Sequence, residues 1–487
     1  MTADPSSAQP DPEAPWAPPD FSHWHELVRR AVSGRRWLCT GDALPPVARV
    51  MAELRALGGG PCFGVASSRG TGDVEFAEGD RHAVLNISAS DMMGGIHASE
   101  AALAALPVGV LQDIEAFDPD RRARVIGPLF AQAPTVAGRG LLGARPLAWR
   151  LLEDKVIIDD LWDAAGVPRA PFRIVPARLD ALTAAVEAID QGDGTVWSAD
   201  NRDGWYGGAS RVRWVRDAGE LAAAAAWIAD RADQVRVMPF LDGTPCSIHG
   251  FVFPDTVFAL RPVEMLVLRR PDGMFHYAKA ATFWDPAPED REDMRDFARR
   301  VGVHLRETVG YRGTFTIDGI MTRDGFRPTE LNPRFGAAMY LMFGGLPKLP
   351  LYLLNLLIAE GLDLDWRPDD LEAVLLAQAD GQRAGGSNMM TARTITTQER
   401  LSLVRGESGW REAEEGEDPH ANAALGPAAS GGFARVALRP NHTPRGCSVA
   451  PRVAELIAFL DEHWELGVGP VSPAPDVRLN LLRARAK

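Results

Sequence analysis

Apolar and polar positions along the chain switch repeatedly between a period of two and a period near 3.6. Strand-like runs at 36–39 and 83–87 alternate with helix-like runs at 46–57 and 98–106, which predicts a small α/β domain over residues 21–148. A helix over 154–165 carries Ile157, Ile158, Leu161 and Trp162 at helical spacing and meets stop signals at Gly166 and Pro168. Strands follow at 194–198, 211–215, 234–238, 246–253 and 256–260, with a helix at 218–229 among them. A long polar helix over Pro288–Val309 and a hairpin over 314–332 complete a central domain at 149–370. Residues 371–487 form an accessory domain with a strand at 433–438 and a helix at 453–464; its acidic, small-residue stretch 411–432 reads as a mobile loop. Residues 1–20, rich in Pro, Ala, Ser and Asp, read as disordered. The fold class expected is α/β, with an α+β character in the central part.

Composition narrows the function. The chain has 487 residues, 46% of them hydrophobic, enough apolar material for two to four cores at roughly 100–200 residues per domain. A net charge of −13 argues against nucleic acid as a partner, so any polyanionic ligand must meet a locally positive pocket. Cys39, Cys62, Cys246 and Cys447 form no CxxC pair, which argues against a disulfide framework or a thiolate zinc site. The first residues lack a basic n-region and an apolar h-region, and the longest helical apolar run, 349–359, is about half of a bilayer span. A reduced, cytoplasmic protein with no membrane partner is expected. Of 52 basic residues only Lys155, Lys279, Lys348 and Lys487 are lysines, so a lysine in this chain is an exception.

The densest chemistry lies in GTFTIDGIMTRDGFRPTELNPRFG, residues 313–336. A three-residue loop, Arg323-Asp324-Gly325, pairs Thr322 with Phe326 and so sets Asp318 opposite Glu330, with Cβ atoms about 5 Å apart. Asn332 points to the same face. Two opposed carboxylates repel unless water or a cation lies between them, and two carboxylates plus an amide oxygen suit Mg²⁺. The alternative is a solvated hairpin face, and a strand slip of one residue separates the carboxylates. Upstream, Gly204-Trp-Tyr-Gly-Gly-Ala-Ser-Arg211 is a Gly-rich stretch whose Gly207 and Gly208 let backbone N–H groups approach phosphate, although a double glycine also makes an ordinary turn. Lys155 opens a helix, where a cation is mildly unfavourable without an anion nearby, and Lys279 lies on a short strand; a solvated residue and an edge-strand lysine are the plain alternatives.

These segments together resemble the ATP-grasp superfamily over about residues 149–345. LLEDKVIIDDLWDAAGVPRAP resembles the family's DK…AGVPxP segment, GWYGGASRV its mobile phosphate loop, VMPFLDG its adenine strand and linker, and IDGIM with ELNPR its metal-binding strands. The resemblance implies an ATP-grasp fold with an N-terminal pre-ATP-grasp domain and a C-terminal extension. It implies that Lys155 contacts ATP phosphates, that Tyr206, Gly207, Gly208, Ala209 and Ser210 cover them, and that Lys279 reaches the γ-phosphate. It further implies that Met238, Pro239, Phe240 and Leu241 line adenine, that Asp318, Glu330 and Asn332 hold Mg²⁺ or Mn²⁺, and that Arg334 faces the γ-phosphate or an acyl phosphate. The chain departs from the family where a second phosphate lysine usually precedes the Gly-rich loop; Arg202 or Arg211 is the substitute on offer. It departs again where two usual glutamates are replaced by Met238 and Pro245.

The implied reaction joins a small-molecule carboxylate to an amine through an acyl phosphate, releasing ADP. ELNPRFG resembles the ExNxRxG of amino-acid and peptide ligases, and the N-terminal domain and tail resemble pheganomycin-type peptide ligases of natural-product pathways. Arg261 is the candidate for gripping the substrate carboxylate, with a salt bridge to Glu264 as its alternative role; His249, His276 and His304 are equally eligible as a base. A kinase, a carboxylase and a catalytically weak nucleotide-binding protein are the competing classes. A homodimer is the oligomer such ligases suggest.

Overall fold

The computed structural model describes residues 19–343, 349–391 and 393–485. All but two of the residues expected to be disordered at the N-terminus lie outside this set, as do Lys348 and Lys487. The architecture is mixed α/β, built on four principal sheets.

The first is parallel, in the order Arg81–Val84, Cys62–Ser68, Trp37–Ala43, Arg124–Ile126. Parallel strands are covered on both faces, so the buried run Trp37-Leu38-Cys39-Thr40-Gly41 shows no alternation. Helix Leu44–Ala56 lies so close that a Cβ at Gly64 would approach Val47 and Met51 within 2.9 Å. The carboxyl ends of these strands, the edge at which open α/β sheets bind ligands, bring residue Gly127 toward the central part of the chain.

A small antiparallel sheet follows, ordered Arg173–Pro176, Gln234–Pro239, Thr195–Ala199, Val212–Val215. Helices Leu179–Ile189 and Leu221–Ala229 cover it around Leu182, Trp197, Ile228 and Val235. The central sheet runs Phe275–Ala281, Val263–Arg269, Thr244–Val252, Gly313–Thr322, Gly325–Asn332, with Val257–Ala259 added beside Thr244–Val252. Helix Pro288–Val309 backs it with Met294, Phe297, Val301 and Leu305. The last sheet, Gly386–Thr391, Gly431–Leu438, Ala421–Ala428, Glu399–Gly406, Gly409–Glu412, is covered by helix Ala450–Trp464.

Three expectations change. Stretch 411–432 is a loop only over 413–420; the rest is mostly strand, and on Ala421–Ala428 the residues Ala421, Ala423 and Leu425 turn inward on alternate positions, so these small residues are core contacts. Helix Pro368–Gly381 runs across residue 370 and packs Leu371, Leu375 and Ala379 into the core that also holds Trp24, Val28 and Leu354. The helix expected from 154 begins only at Ile158, because the Asp154 carboxylate accepts the Val156 N–H at 3.2 Å and turns the chain first. Lys155 therefore sits in a turn before the helix, and Ile157 is exposed.

One buried ion pair ties three of these parts together. Arg236, on the small sheet, donates from Nε and Nη2 to both oxygens of Asp159 on helix Ile158–Ala164, each at 2.6 Å. Its Nη1 donates to the Thr329 carbonyl of the central hairpin at 3.0 Å. Both side chains are 1% exposed. We expect Asp159→Ala to cost about 3–5 kcal/mol in urea unfolding, since it strands a buried guanidinium, and the Asp159→Leu/Arg236→Met double variant to recover most of that loss.

Candidate functional site

The hairpin reaches the expected pairing by a different route. Its connection is two residues, with Thr322 paired to Gly325, one position short of expectation. A bulge at Thr329 restores that residue, so Asp318 still faces Glu330 and Thr316 faces Asn332. The bulge is held from both sides: the Thr329 hydroxyl donates to the Asp318 carbonyl at 3.2 Å, and the Thr329 carbonyl takes Arg236.

Around this pair the chain builds a connected polar network. Asp318 Oδ1 accepts from the Ser247 hydroxyl at 2.5 Å, and Oδ2 accepts from Asn332 Nδ2 at 2.9 Å. Glu330 Oε1 accepts from Lys155 Nζ at 2.8 Å. Arg334 Nη2 donates to Asn332 Oδ1 at 2.6 Å, and its Nε lies 3.4 Å from Glu153 Oε2. The other Glu153 oxygen takes Arg145. Burial alone would raise the Glu153 carboxyl, but the two guanidiniums outweigh it and hold the group below its ordinary value. Burial first, and the Glu330 charge second, push Asp318 up to about 7. Two carboxylates opposed on one rung, with Lys155 bonded to only one of them, are a donor pair that fits a divalent ion. Among the described residues no three His, Cys, Asp or Glu side chains gather into a metal group; what the hairpin brings together is two carboxylates and an amide.

The Gly-rich loop folds over this network. Trp205 stacks on Phe130 with ring centroids 4.9 Å apart, and the Arg334 guanidinium lies 4.8 Å from the Phe130 centroid and 5.2 Å from that of Trp205. His97, on helix Met92–Ala104, bonds the Trp205 carbonyl at 2.9 Å and meets the Tyr206 ring edge-on. The Gly207 N–H points at Met93 Sδ, a weak acceptor, at 3.4 Å. Gly208 and Ala209 are both left-handed, and a Cβ at Gly208 would strike Met92 at 2.8 Å. Ser210 donates back to the Gly207 carbonyl. The two arginines offered in place of the missing lysine are engaged elsewhere. Arg202 pairs with Asp203 and Asp233, while Arg211 pairs with Asp203 and lies over the Tyr206 ring.

Other candidates stand further out. Met238 and Pro239 end a buried strand, and Phe240 and Leu241 lead from the small sheet into the central one. Phe240 stacks on Trp214 at 4.0 Å. Gly243 is obligatory there, with φ +152° and the Met321 carbonyl 2.1 Å from any Cβ. Lys279 lies on the far edge strand of the central sheet, outside the hydrogen-bonded set, and among the described residues its ammonium has no ion pair. Burial, then Arg435, lower it to about 8.

Arg261 does not join the site. It is 1% exposed, and its fork is spent on Asp285, Asp380 and the carbonyls of Pro262, Trp284 and Ala379; its ion partners are not Glu264 either. Glu264 instead caps the start of helix Ala450–Trp464 through Ser448 and Val449. His249, on strand Thr244–Val252, pairs with Thr316 two rungs from the Ser247–Asp318 pair, and burial lowers it to about 3. Burial also lowers His276, whereas His304 lies within helix Pro288–Val309.

Sequence reasoning missed Ser247, Glu153, Arg145, Trp205 and Tyr277. Burial, then the Asp318 charge, raise the Tyr277 hydroxyl, and Arg334 lowers it; Tyr277 stands two residues before Lys279, and an aromatic beside a rare lysine was the available signal.

No protein-family model matches the chain. The chain is similar to a D-alanine–D-alanine ligase. That relative, from Mycobacterium ulcerans (strain Agy99), is 26% identical over 216 residues, which are 43% of this chain and 57% of the ligase. The matched stretch thus spans little more than half the length of that curated relative. Among solved structures, an ADP complex of N5-carboxyaminoimidazole ribonucleotide synthetase aligns over 88% of this chain and 98% of its own, at 13% identity and TM-score 0.46. The biotin carboxylase domain of Hydrogenobacter thermophilus 2-oxoglutarate carboxylase, with MgADP, aligns over 90% of this chain and 91% of its own, at 14% identity and TM-score 0.47. No single helix among the described residues is long and apolar enough to cross a membrane.

Asp318→Asn removes the repulsion that burial leaves unrelieved. Because the folded value of Asp318 lies above its ordinary one, its ionisation costs stability as pH rises from about 4 to 7. The variant should melt above the parent chain at pH 8 without nucleotide, in differential scanning fluorimetry, and lose the Mg-ATP-dependent rise in melting temperature. Lys279 loses its charge as pH passes about 8, so Mg-ATP affinity should fall above that pH by titration calorimetry, and Lys279→Arg should move the fall to higher pH.

Proposed function

We propose that this chain is an ATP-grasp ligase that activates a small-molecule carboxylate with ATP and joins it to an amine, forming an amide and releasing ADP and phosphate. The observation that carries the reading is the opposed pair Asp318 and Glu330, bonded to Lys155 and, through Asn332, to Arg334 beneath a Gly-rich loop. The similarity to a D-alanine–D-alanine ligase supports the same class of reaction.

In this reading Asp318, Glu330 and Asn332 hold Mg²⁺. When bound, the ion neutralises charge on the transferring phosphate. Lys155 exchanges its Glu330 partner for a phosphate oxygen, and the 204–210 loop excludes water from above. A carboxylate oxygen of the acid attacks the γ-phosphorus, the bond to the β-phosphate oxygen breaks, and ADP leaves. The amine nitrogen then attacks the acyl carbon, loses a proton, and phosphate departs with one carboxylate oxygen. Arg334 stands where it offsets charge in both steps, and desolvation by Trp205 and Phe130 strengthens it there. Lys279, free of any counter-ion among the described residues, is the further cation for the γ-phosphate. The substrates in this reading include amino acids or peptides.

The test is incubation with Mg-ATP and pooled amino acids and peptides, read by nucleotide chromatography and mass spectrometry. ADP together with new amide masses is the expected result. AMP as product contradicts the phosphate chemistry, ADP without any amide favours a kinase, and bicarbonate dependence favours a carboxylase.

A further inference from the structure

The last sheet meets the central one along a single seam. Strand Gly386–Thr391 runs beside strand Phe275–Ala281, and a Cβ at Gly385 would come within 2.9 Å of the Ala281 methyl. One apolar core lies under both edges, with Ala278 from the central sheet and Met389, Ala434 and Val436 from the last. Alternation puts Tyr277, Asn388 and Arg435 on the opposite side, and Lys279 is half-buried outside that core. This opposite side is also the face of the paired carboxylates. Asp318 pairs with Ser247 and Ser247 with Val263; Val267, four residues on, pairs with Tyr277, so register carries Asp318 and Tyr277 to one face.

Charge along this seam is unbalanced. Among the described residues neither Lys279 nor Arg435 makes a side-chain hydrogen bond or an ion pair, and Arg435 is exposed. The two cations nevertheless stand close enough that the guanidinium charge lowers the Lys279 ammonium, after burial. Asn388, directly opposite Arg435 in the ladder, has a buried Oδ1 that bonds nothing. Like charges brought together without a counter-ion cost free energy, and an anion that arrives between them recovers it. The site described above lacks a cation on its phosphate side. Arg202 and Arg211, which flank the Gly-rich loop, are committed to Asp203 and Asp233. Arg435 is uncommitted.

We infer that Arg435, reaching across the seam from the last sheet, joins Lys279 in seating the terminal phosphoryl group of ATP. Lysine brings a compact point charge and arginine a planar fork, so the two together match the several oxygens over which that group spreads its charge. The last sheet is then a working part of the site, since the cation absent before the Gly-rich loop arrives from a strand more than 200 residues later. The inference rests on the ligase reading above and deepens it by assigning a residue that the resemblance did not supply.

Titration calorimetry of the full-length protein with Mg-ATP and with Mg-ADP isolates the third phosphate. Arg435→Gln should weaken Mg-ATP by about tenfold or more, the worth of a charge-assisted hydrogen bond, and leave Mg-ADP unchanged. Arg435→Lys should recover part of the loss. Arg439→Gln removes the same charge from the same side of the chain, four residues on and past the strand's end, and should leave both nucleotides unchanged. Since Arg435 is exposed and bonds nothing, its variants should keep the parent's urea midpoint. Unchanged Mg-ATP affinity in Arg435→Gln, equal losses for Mg-ATP and Mg-ADP, or an equal loss in Arg439→Gln overturns the inference and leaves the ligase reading standing. A parent chain that binds no Mg-ATP overturns both.

Discussion

Two carboxylates that repel one another are fixed face to face by backbone geometry, and the surrounding charges are arranged to answer that repulsion. Asp318 cannot turn away from Glu330, because the hairpin register is locked by the bulge at Thr329. The bulge is in turn held by Arg236, whose other two donors are committed to Asp159. A buried, fully bonded guanidinium that grips the residue next to Glu330 thus helps set the distance between the two acids. It also joins the small sheet, the helix that follows Lys155 and the central hairpin. The same fork that stabilises the fold therefore aligns three parts that the proposed reaction uses together.

Charge around the site is distributed with economy. Glu153 is shared between Arg145 and Arg334, which holds two like charges side by side on one carboxylate. Lys155 is parked on Glu330 and Asn332 divides its amide between Asp318 and Arg334. In the proposed reading a metal ion takes the place of Lys155 at Glu330 and phosphate oxygens take the place of Glu330 at Lys155, so each partner is exchanged for one of the same sign. The Gly-rich loop adds the dielectric contribution: Trp205 and Phe130 exclude water from one side of Arg334, where a positive charge acts at greatest range.

How much of this was legible along the chain depends on distance. The hairpin was legible because turn and ladder are local, and its face pairing survived two opposite deviations, a shorter turn and a bulge, neither of which leaves a mark in hydrophobic alternation. Lys155 stood out by its rarity, but its contact with a residue 175 positions away did not. Glu153 and Arg145 carry no local signal in the sequence, yet their side chains are only 2% and 10% exposed. Arg261 looked available for the converse reason: the sequence near it offers Glu264, whereas its partners Asp285 and Asp380 arrive from later in the chain. Within the 411–432 stretch, the strand 421–428 was missed because alanine and glycine suggest mobility by composition, while alanine at alternate positions also builds a flat strand face.

The central claim is that phosphate passes from ATP to a carboxylate before any amide forms. Labelling both carboxylate oxygens of the accepted acid with ¹⁸O and analysing the released phosphate by mass spectrometry tests it most directly. Direct phosphorylation of the acid predicts one labelled oxygen in inorganic phosphate for every amide made. Unlabelled phosphate, or label recovered in AMP, contradicts the account.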